Sequence, residues 1–321
     1  MNIFKPLQPL LIPSFSSKGC DKYYNAENKL TSVNTDFLSY FNFNLSNTYL
    51  ISAYDVYHGF MPTDPETWPH TDYLFVDSGG YETNTLDNSS KIWNEKLMEQ
   101  VYEKVYNSNN FSNSIIVFTT YDTYENLALQ IKAALDLKAK FPNSVIDFLI
   151  KLNANNAPKS KTLAHDILQY ADIIKNFRLI GLTEEELGES VKERVLNLIA
   201  IRKSLDYINW NGDLHIFGGL DPTLMKLYFY SGATIFDGLA WQRMSLENSA
   251  SLFSMNYANI NDTEYENRLI LMKKNLSFLQ SLSCKMSIID FDEILKIREK
   301  CQNIINDHNM SVHQLLKELE V

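Results

Sequence analysis

Short apolar runs recur along the first three quarters of the chain, and stretches with helical spacing separate most of them. The runs are Leu10–Pro13, Thr48–Ala53, Tyr73–Val76, Ile115–Thr119, Val145–Leu152, Phe177–Leu182, Leu214–Phe217 and Thr234–Phe236. Most are continuously apolar rather than alternating. That pattern belongs to parallel strands covered on both faces. Helices are predicted over Ile92–Tyr106, Thr123–Phe141, Thr162–Lys175 and Glu184–Tyr207. A further helix opens at Asp221-Pro222, with Asp as N-cap and Pro at the first helical position, and stops at Gly232. Strands alternating with helices make a parallel sheet. Eight such strands favour a closed (β/α)₈ TIM barrel over an open doubly wound sheet.

After about residue 260 the strand signal ends. Asp262–Ser281, Asp290–Asn306 and Ser311–Glu320 read as helices. The expected organisation is a catalytic barrel over residues 1–260 and a short helical C-terminal appendage over 261–321 that packs on it.

Bulk properties narrow the function classes. The 321 residues are 45% hydrophobic and 21% charged, so the chain can bury a large core and is not disordered. Its formal charge of −10 lowers the expectation of a broad phosphate-binding surface. Cys20, Cys284 and Cys301 are too few and too scattered for a disulfide framework. No apolar run reaches bilayer-spanning length. With no signal-peptide core at the start, the expectation is a cytoplasmic protein without membrane contact. No G-x-G-x-x-G or G-x-x-x-x-G-K cradle is present, and no cofactor is called for. Cys284, Cys301 and His308 lack the tight C-x₂₋₄-C pair of zinc sites, so no metal is expected there.

The candidate chemistry lies where strands stop. Asp77 ends the run Tyr73–Val76, and Asp237 follows Thr234–Phe236. In an α/β barrel the strand ends carry the active site. Asp237 there can attack an anomeric carbon and form a glycosyl ester, while Asp77 protonates the departing group and deprotonates the incoming one. Gly79-Gly80 would let a flat ligand approach the main chain, and Tyr81 could stack on it. Asp122, after Ile115–Tyr121, can accept two N–H groups from an edge such as that of guanine. Gly181 and Leu182 could offer backbone N–H groups to a carbonyl, and Glu189 could orient a neighbour. Gly219, with Gly218, leaves room for a bulky ligand. Each has a plainer reading: Asp77 as a turn cap, Asp122 as a helix N-cap, Asp237 as a bridge to loop amides, and Glu189 as one more charge at a helix start.

Taken in order, these blocks resemble the tRNA-guanine transglycosylases and their DNA-acting relatives. Asp77-Ser78-Gly79-Gly80-Tyr81-Glu82 is close to that family's D-S-G-G-[FY]-Q. Ile180–Glu189 resembles a stretched G-G-L-x-V-G-E, and His215–Gly219 with Gly232–Asp237 resembles the segment that leads to the nucleophile. Leu11–Phe15 and Thr48–His58 resemble its first two strands, so the likeness runs over roughly residues 8–245. The resemblance implies a pentosyltransferase that exchanges guanine for a 7-deazaguanine base in tRNA or DNA. Asp237 would be the nucleophile and Asp77 the general acid/base. Tyr81 would stack on the base, Asp122 would read its edge, and Gly181 and Leu182 would make backbone contacts. A homodimer or a pairing with a partner subunit fits the same family.

This chain departs from the pattern in several places. Glu82 replaces the family's Gln, and Lys151 stands where a base-reading Gln is usual. The family's zinc motif is absent, and Trp241-Gln242-Arg243 keeps a single Arg of its basic segment. A Lys can only donate. If Lys151 points into the pocket it favours an uncharged 7-substituent, such as a nitrile, over an aminomethyl group. If it reaches solvent, or pairs with Glu82 or Asp122, base choice is indifferent to it. Two rivals stand beside base exchange: a nucleoside or glycoside hydrolase on the same barrel, and a non-catalytic subunit. Retention of both Asp77 and Asp237 weighs against the second.

Overall fold

A computed structural model describes residues 9–18, 22–24, 27–28, 30–40, 48–80, 93–247, 250–253, 264–287 and 291–306. Eight strands close into a barrel: β1 (Leu10–Phe15), β2 (Thr48–Ser52), β3 (Tyr73–Asp77), β4 (Ile115–Thr119), β5 (Val145–Ile150), β6 (Leu179–Thr183), β7 (Asp213–Phe217) and β8 (Ile235–Gly238). Each strand pairs in parallel with its sequence neighbours, and β8 returns to β1 through Leu10↔Ile235 to Pro13↔Gly238. All eight coincide with the apolar runs, and helices alternate with the later strands, so this is a (β/α)₈ barrel with a C-terminal helical part. Among the described residues, no helix is long and apolar enough to cross a membrane.

Two apolar layers hold the barrel. Ile12, Leu50, Phe75, Val117, Leu149, Leu179, Phe217 and Ile235 fill its interior. A larger cluster, including Phe118, Phe148, Ile180, Leu182 and Phe236, faces the helices. In every strand the side chains alternate between these two layers, which is why the runs are apolar throughout.

Helix boundaries are set by their caps. Asn94 Oδ1 accepts the Leu97 N–H at 3.1 Å and caps the helix Glu95–Tyr106; the predicted start, Ile92, lies outside the described residues. Asn126, not Asp122, caps Leu127–Lys140. Asp221 Oδ1 accepts the Thr223 and Leu224 N–H groups, both at 3.0 Å, and Gly232 ends that helix at φ +117°, where a side chain would be strained. The stretch predicted as one helix over Glu184–Tyr207 is a short 3₁₀ turn, Glu185–Leu187, followed by a helix from Val191 capped by Ser190. Thr162–Lys175 likewise divides at Tyr170 into Leu163–Gln169 and Ala171–Ile174.

The apolar pattern does not predict the helix at Val33–Tyr40, nor two small antiparallel hairpins, Lys22–Tyr24 with Leu30–Ser32 and Met244–Glu247 with Ala250–Phe253.

Two helices, Glu264–Met286 and Phe291–Asn306, form the described part of the appendage, and Ser311–Glu320 lies outside the described residues. The first helix docks through buried Leu271, Met272, Leu276, Leu279 and Met286. Asn275 fastens it: its Nδ2 donates to the Trp241 and Met244 carbonyls, each at 2.6 Å, and its Oδ1 accepts the Leu246 N–H at 3.0 Å. Removing that buried amide strands three backbone groups. Asn275→Ala should therefore lower stability by about 2–4 kcal/mol in urea unfolding, well beyond a surface substitution. A loss below about 0.5 kcal/mol would show that the appendage is not held this way.

Candidate active site

Counting by two along each strand carries the interior layer into polar residues at the C-terminal ends. Leu10 and Ile12 lead to Ser14, Leu50 leads to Ser52, and Tyr73 and Phe75 lead to Asp77. Val145, Asp147 and Leu149 lead to Lys151, and Ile235 leads to Asp237. These side chains border one cavity of about 1160 Å³ at the barrel mouth, with Asp122, Tyr124, Thr183, Glu186 and Gly218. Leu50, Leu149 and Phe217 contribute apolar surface to the same cavity. A volume of that size admits a nucleoside and more.

The Asp77–Gly80 block is built for close approach. Asp77 Oδ2 accepts the Gly79 N–H at 3.1 Å, so the turn-capping role is real, yet the side chain also borders the cavity. Gly79 adopts φ +78°, and a Cβ there would lie 2.5 Å from Tyr54 Cβ. A Cβ on Gly80 would fall 2.1 Å from Asp122 Cγ. The missing side chain is what lets the Asp122 carboxylate lie over the main chain. Ser78 Oγ donates to Asp122 Oδ1 at 2.8 Å, and Trp93 Nε1 holds the Ser78 carbonyl at 2.9 Å. Tyr81 and Glu82 lie outside the described residues.

Lys151 does not extend freely into the cavity. Its Nζ lies 2.9 Å from Glu186 Oε1, 3.4 Å from Asp122 Oδ2 and 3.3 Å from Thr183 Oγ1, and 5.1 Å from the Tyr124 ring centre. Burial alone would lower its pKa, but Asp122 and Glu186 outweigh burial and raise it, so the ammonium stays charged. Lys151 thus borders the cavity and is also paired with Asp122. Glu186, which sequence reasoning passes over, joins the cluster and also accepts the Leu152 N–H at 3.0 Å and the Tyr124 hydroxyl at 3.0 Å.

Asp237 is fixed from three sides. Its Oδ2 accepts Ser14 Oγ at 2.7 Å, and its Oδ1 accepts the Gly218 N–H at 3.0 Å. His215 Nε2 stands 3.2 Å from Oδ1, near enough for an ion pair but too poorly aligned for a hydrogen bond. On its other side, His215 Nδ1 meets Asp147 Oδ2 at 2.6 Å. Asp147 and His215 are wholly buried inside the barrel. Burial pushes the Asp147 carboxyl up, and His215 pulls it back. Burial would push His215 down, but the two carboxylates prevail and raise it to about 9.

Gly181, Leu182 and Gly219 do not border the cavity. Gly181 lies in mid-strand between Leu149 and His215. A Cβ there would come within 2.6 Å of the Phe217 ring and 2.8 Å of Asp147 Oδ1, so this glycine makes room for the buried pair. Leu182 belongs to the layer against the helices. Gly218, at φ +80°, borders the cavity instead, as do Gly188 and Gly238. Glu189 is exposed, and its N–H binds Glu193 at 3.1 Å. Cys284 is exposed, Cys301 is buried, and His308 lies outside the described residues.

Asp147, His215 and Ser14 do carry a signal in the sequence. An Asp in the middle of Val145–Ile150 and a His inside Leu214–Phe217 are polar interruptions at interior positions of apolar strands.

Gly181→Ala should destabilise the fold by about 1–3 kcal/mol in urea, because Phe217 or Asp147 must shift within a packed barrel. A neutral Gly181→Ala would mean that the space over Gly181 is not filled as described.

No known family model matches the chain, and no curated protein matches it in sequence.

Proposed function

We propose that this protein is a base-exchange transglycosylase that replaces guanine with a 7-deazaguanine through a covalent glycosyl ester on Asp237. The observation that carries the reading is the pairing of Asp77 and Asp237 around one cavity at the mouth of a closed barrel, reached from β3 and β8. In the first step the C1′–N9 bond of the bound nucleotide breaks as the Asp237–C1′ bond forms, and N9 takes the proton of Asp77. In the second, the incoming base gives its N9 proton to Asp77 and attacks C1′, and the electron pair returns to Asp237. Asp122, stabilised by Ser78 and Lys151, faces the cavity as an acceptor for the donor edge of the base. Because Lys151 is engaged by Asp122 and Glu186, base selection by Lys151 itself is not part of the proposal.

A hydrolytic reading has one observation in its favour. The cavity rim holds Glu184, Glu185, Glu186, Glu189 and Glu193 against Lys159, Lys161 and Arg243, and Lys161 pairs with Glu193 at 3.3 Å. Such a rim suits a small nucleoside as well as a polymer, with water resolving the ester.

Incubation with labelled guanine and tRNA, double-stranded DNA or single-stranded DNA separates these readings. Exchange predicts label in one polymer, abolished by Asp237→Asn together with covalent trapping, a loss of at least about a thousandfold. Asp77→Asn should retain binding and lose departure of the base. Free base released from a nucleoside with no label taken up would establish the hydrolase instead, and near-normal exchange by Asp237→Asn would remove the nucleophile.

Binding of the polymer should show weak dependence on salt. The three rim cations among the described residues allow a slope of log affinity against log salt no steeper than about −3. A much steeper slope, measured on the preferred polymer, would place the main contact surface elsewhere.

A further inference from the structure

Behind Asp237 lies a buried chain of charge that the two-step exchange does not use. Asp147 on β5, His215 on β7 and Asp237 on β8 follow one another in contact inside the barrel, 2.6 and 3.2 Å apart. The groups around the imidazole are few. Phe217 stacks on it with ring centres 3.9 Å apart, and Phe75 meets it edge-on at 5.9 Å. Gly181, opposite His215 on β6, has no side chain. Among the described residues, the charged groups that face the ring are Asp147 and Asp237, one at each nitrogen.

The geometry decides the charge. A neutral imidazole has one N–H and one lone pair. With Nδ1–H given to Asp147 at 2.6 Å, the Nε2 lone pair would oppose Asp237 Oδ1 at 3.2 Å, two acceptors in contact in a dry interior. With the tautomer reversed, the conflict moves to Asp147, whose Oδ1 already lacks a hydrogen-bond partner. With both carboxyls ionised, only the imidazolium gives each of them a positive neighbour that bears a proton. Stacking on Phe217 favours the same state.

We propose that His215, held by Asp147, is a buried imidazolium that positions Asp237 and stabilises it as the carboxylate that departs when the glycosyl ester is resolved. The assignment of the departing step rests on the base-exchange reading, whereas the charge of His215 stands without it. When Asp237 carries the sugar on Oδ2, its Oδ1 is a carbonyl and His215 loses its ionic partner. When the incoming base takes C1′, the bonding pair returns to Asp237 and the charge is again met by His215 and the Gly218 N–H. His215 therefore disfavours the ester and favours its breakdown. A group that only filled space would affect formation and breakdown alike.

The test uses the full chain labelled with ¹⁵N-histidine, with the His215 signals identified by their loss in His215→Gln. An imidazolium is expected through about pH 8, against about 6.5 for the midpoint of an ordinary His. The transition should lie at about 9 and move to lower pH in Asp147→Asn, a near-isosteric change that keeps the fold. A neutral ring at pH 7 in the unaltered protein overturns the proposal. Covalent trapping on the preferred polymer then reads the step. In His215→Gln the trapped fraction should rise about fivefold or more while turnover falls about tenfold. Equal loss of trapping and turnover in His215→Gln and Asp147→Asn overturns the positioning role. Absence of any adduct in the unaltered protein, with His215 still charged at pH 8, overturns the base-exchange reading and the departing role with it.

Discussion

Closure of the barrel forces every second side chain of eight strands into one narrow interior. Parallel pairing on both sides of every strand fixes the register, so no strand can turn a single residue outward without slipping its whole inward set. The apolar layer of Phe75, Leu149, Phe217 and Ile235 thereby dictates which side chains, two residues further along each strand, point into the mouth. Asp77, Lys151 and Asp237 meet there because they share the phase of those core residues. The same constraint places Asp147 and His215 deep inside, where a charge without a partner is costly. Their mutual contact is thus a condition of the fold as well as a feature of the site.

The strands were legible because burial on both faces leaves a continuous apolar run, and all eight runs became barrel strands. The helix over Pro222–Ser231 was legible at both ends because its caps are chemical: Asp with Pro at the start, a left-handed Gly at the stop. Other boundaries differ from the pattern where helical spacing continues past a break. The residues from Glu184 to Ser190 look helical in composition, but Ser190 caps a helix that begins only at Val191. The two hairpins and the helix Val33–Tyr40 escaped because they are short and lie outside the repeating β/α alternation. Nothing in a three-residue strand such as Lys22–Tyr24 exceeds the background of polar and aromatic residues around it.

At the site, the residue types at strand ends were informative and the glycines were ambiguous. A glycine can expose its backbone to a ligand or leave space for a neighbouring side chain, and the sequence does not distinguish the two. Gly80 and Gly181 both leave space, under Asp122 and under Asp147 with Phe217. Gly218 exposes its backbone, giving its N–H to Asp237. Lys151 was visible as a departure from the transglycosylase pattern, but its partner Glu186 comes from a different strand end, 35 residues later in the chain. Such a pairing is set by the adjacency of β5 and β6, which periodicity alone does not convey.

Among the described residues that line the cavity, carboxyl groups outnumber cations even with one proton on Asp77: Asp77, Asp122, Glu184, Glu185, Glu186, Glu189, Glu193 and Asp237 against Lys151, Lys159, Lys161 and Arg243. Lys151 is committed to Asp122 and Glu186, and His215 to Asp147 and Asp237. The remaining negative potential is concentrated in a cleft with apolar walls, where it is screened less than on the surface. A ligand that answers it must present N–H donors or develop positive charge. In the proposed reaction a purine edge would do the first at Asp122, and an oxocarbenium-like sugar between Asp77 and Asp237 would do the second. An anionic ligand would meet repulsion at the same place. The polar lining of the barrel mouth therefore suits the proposed chemistry at a base–sugar bond better than chemistry on a phosphate.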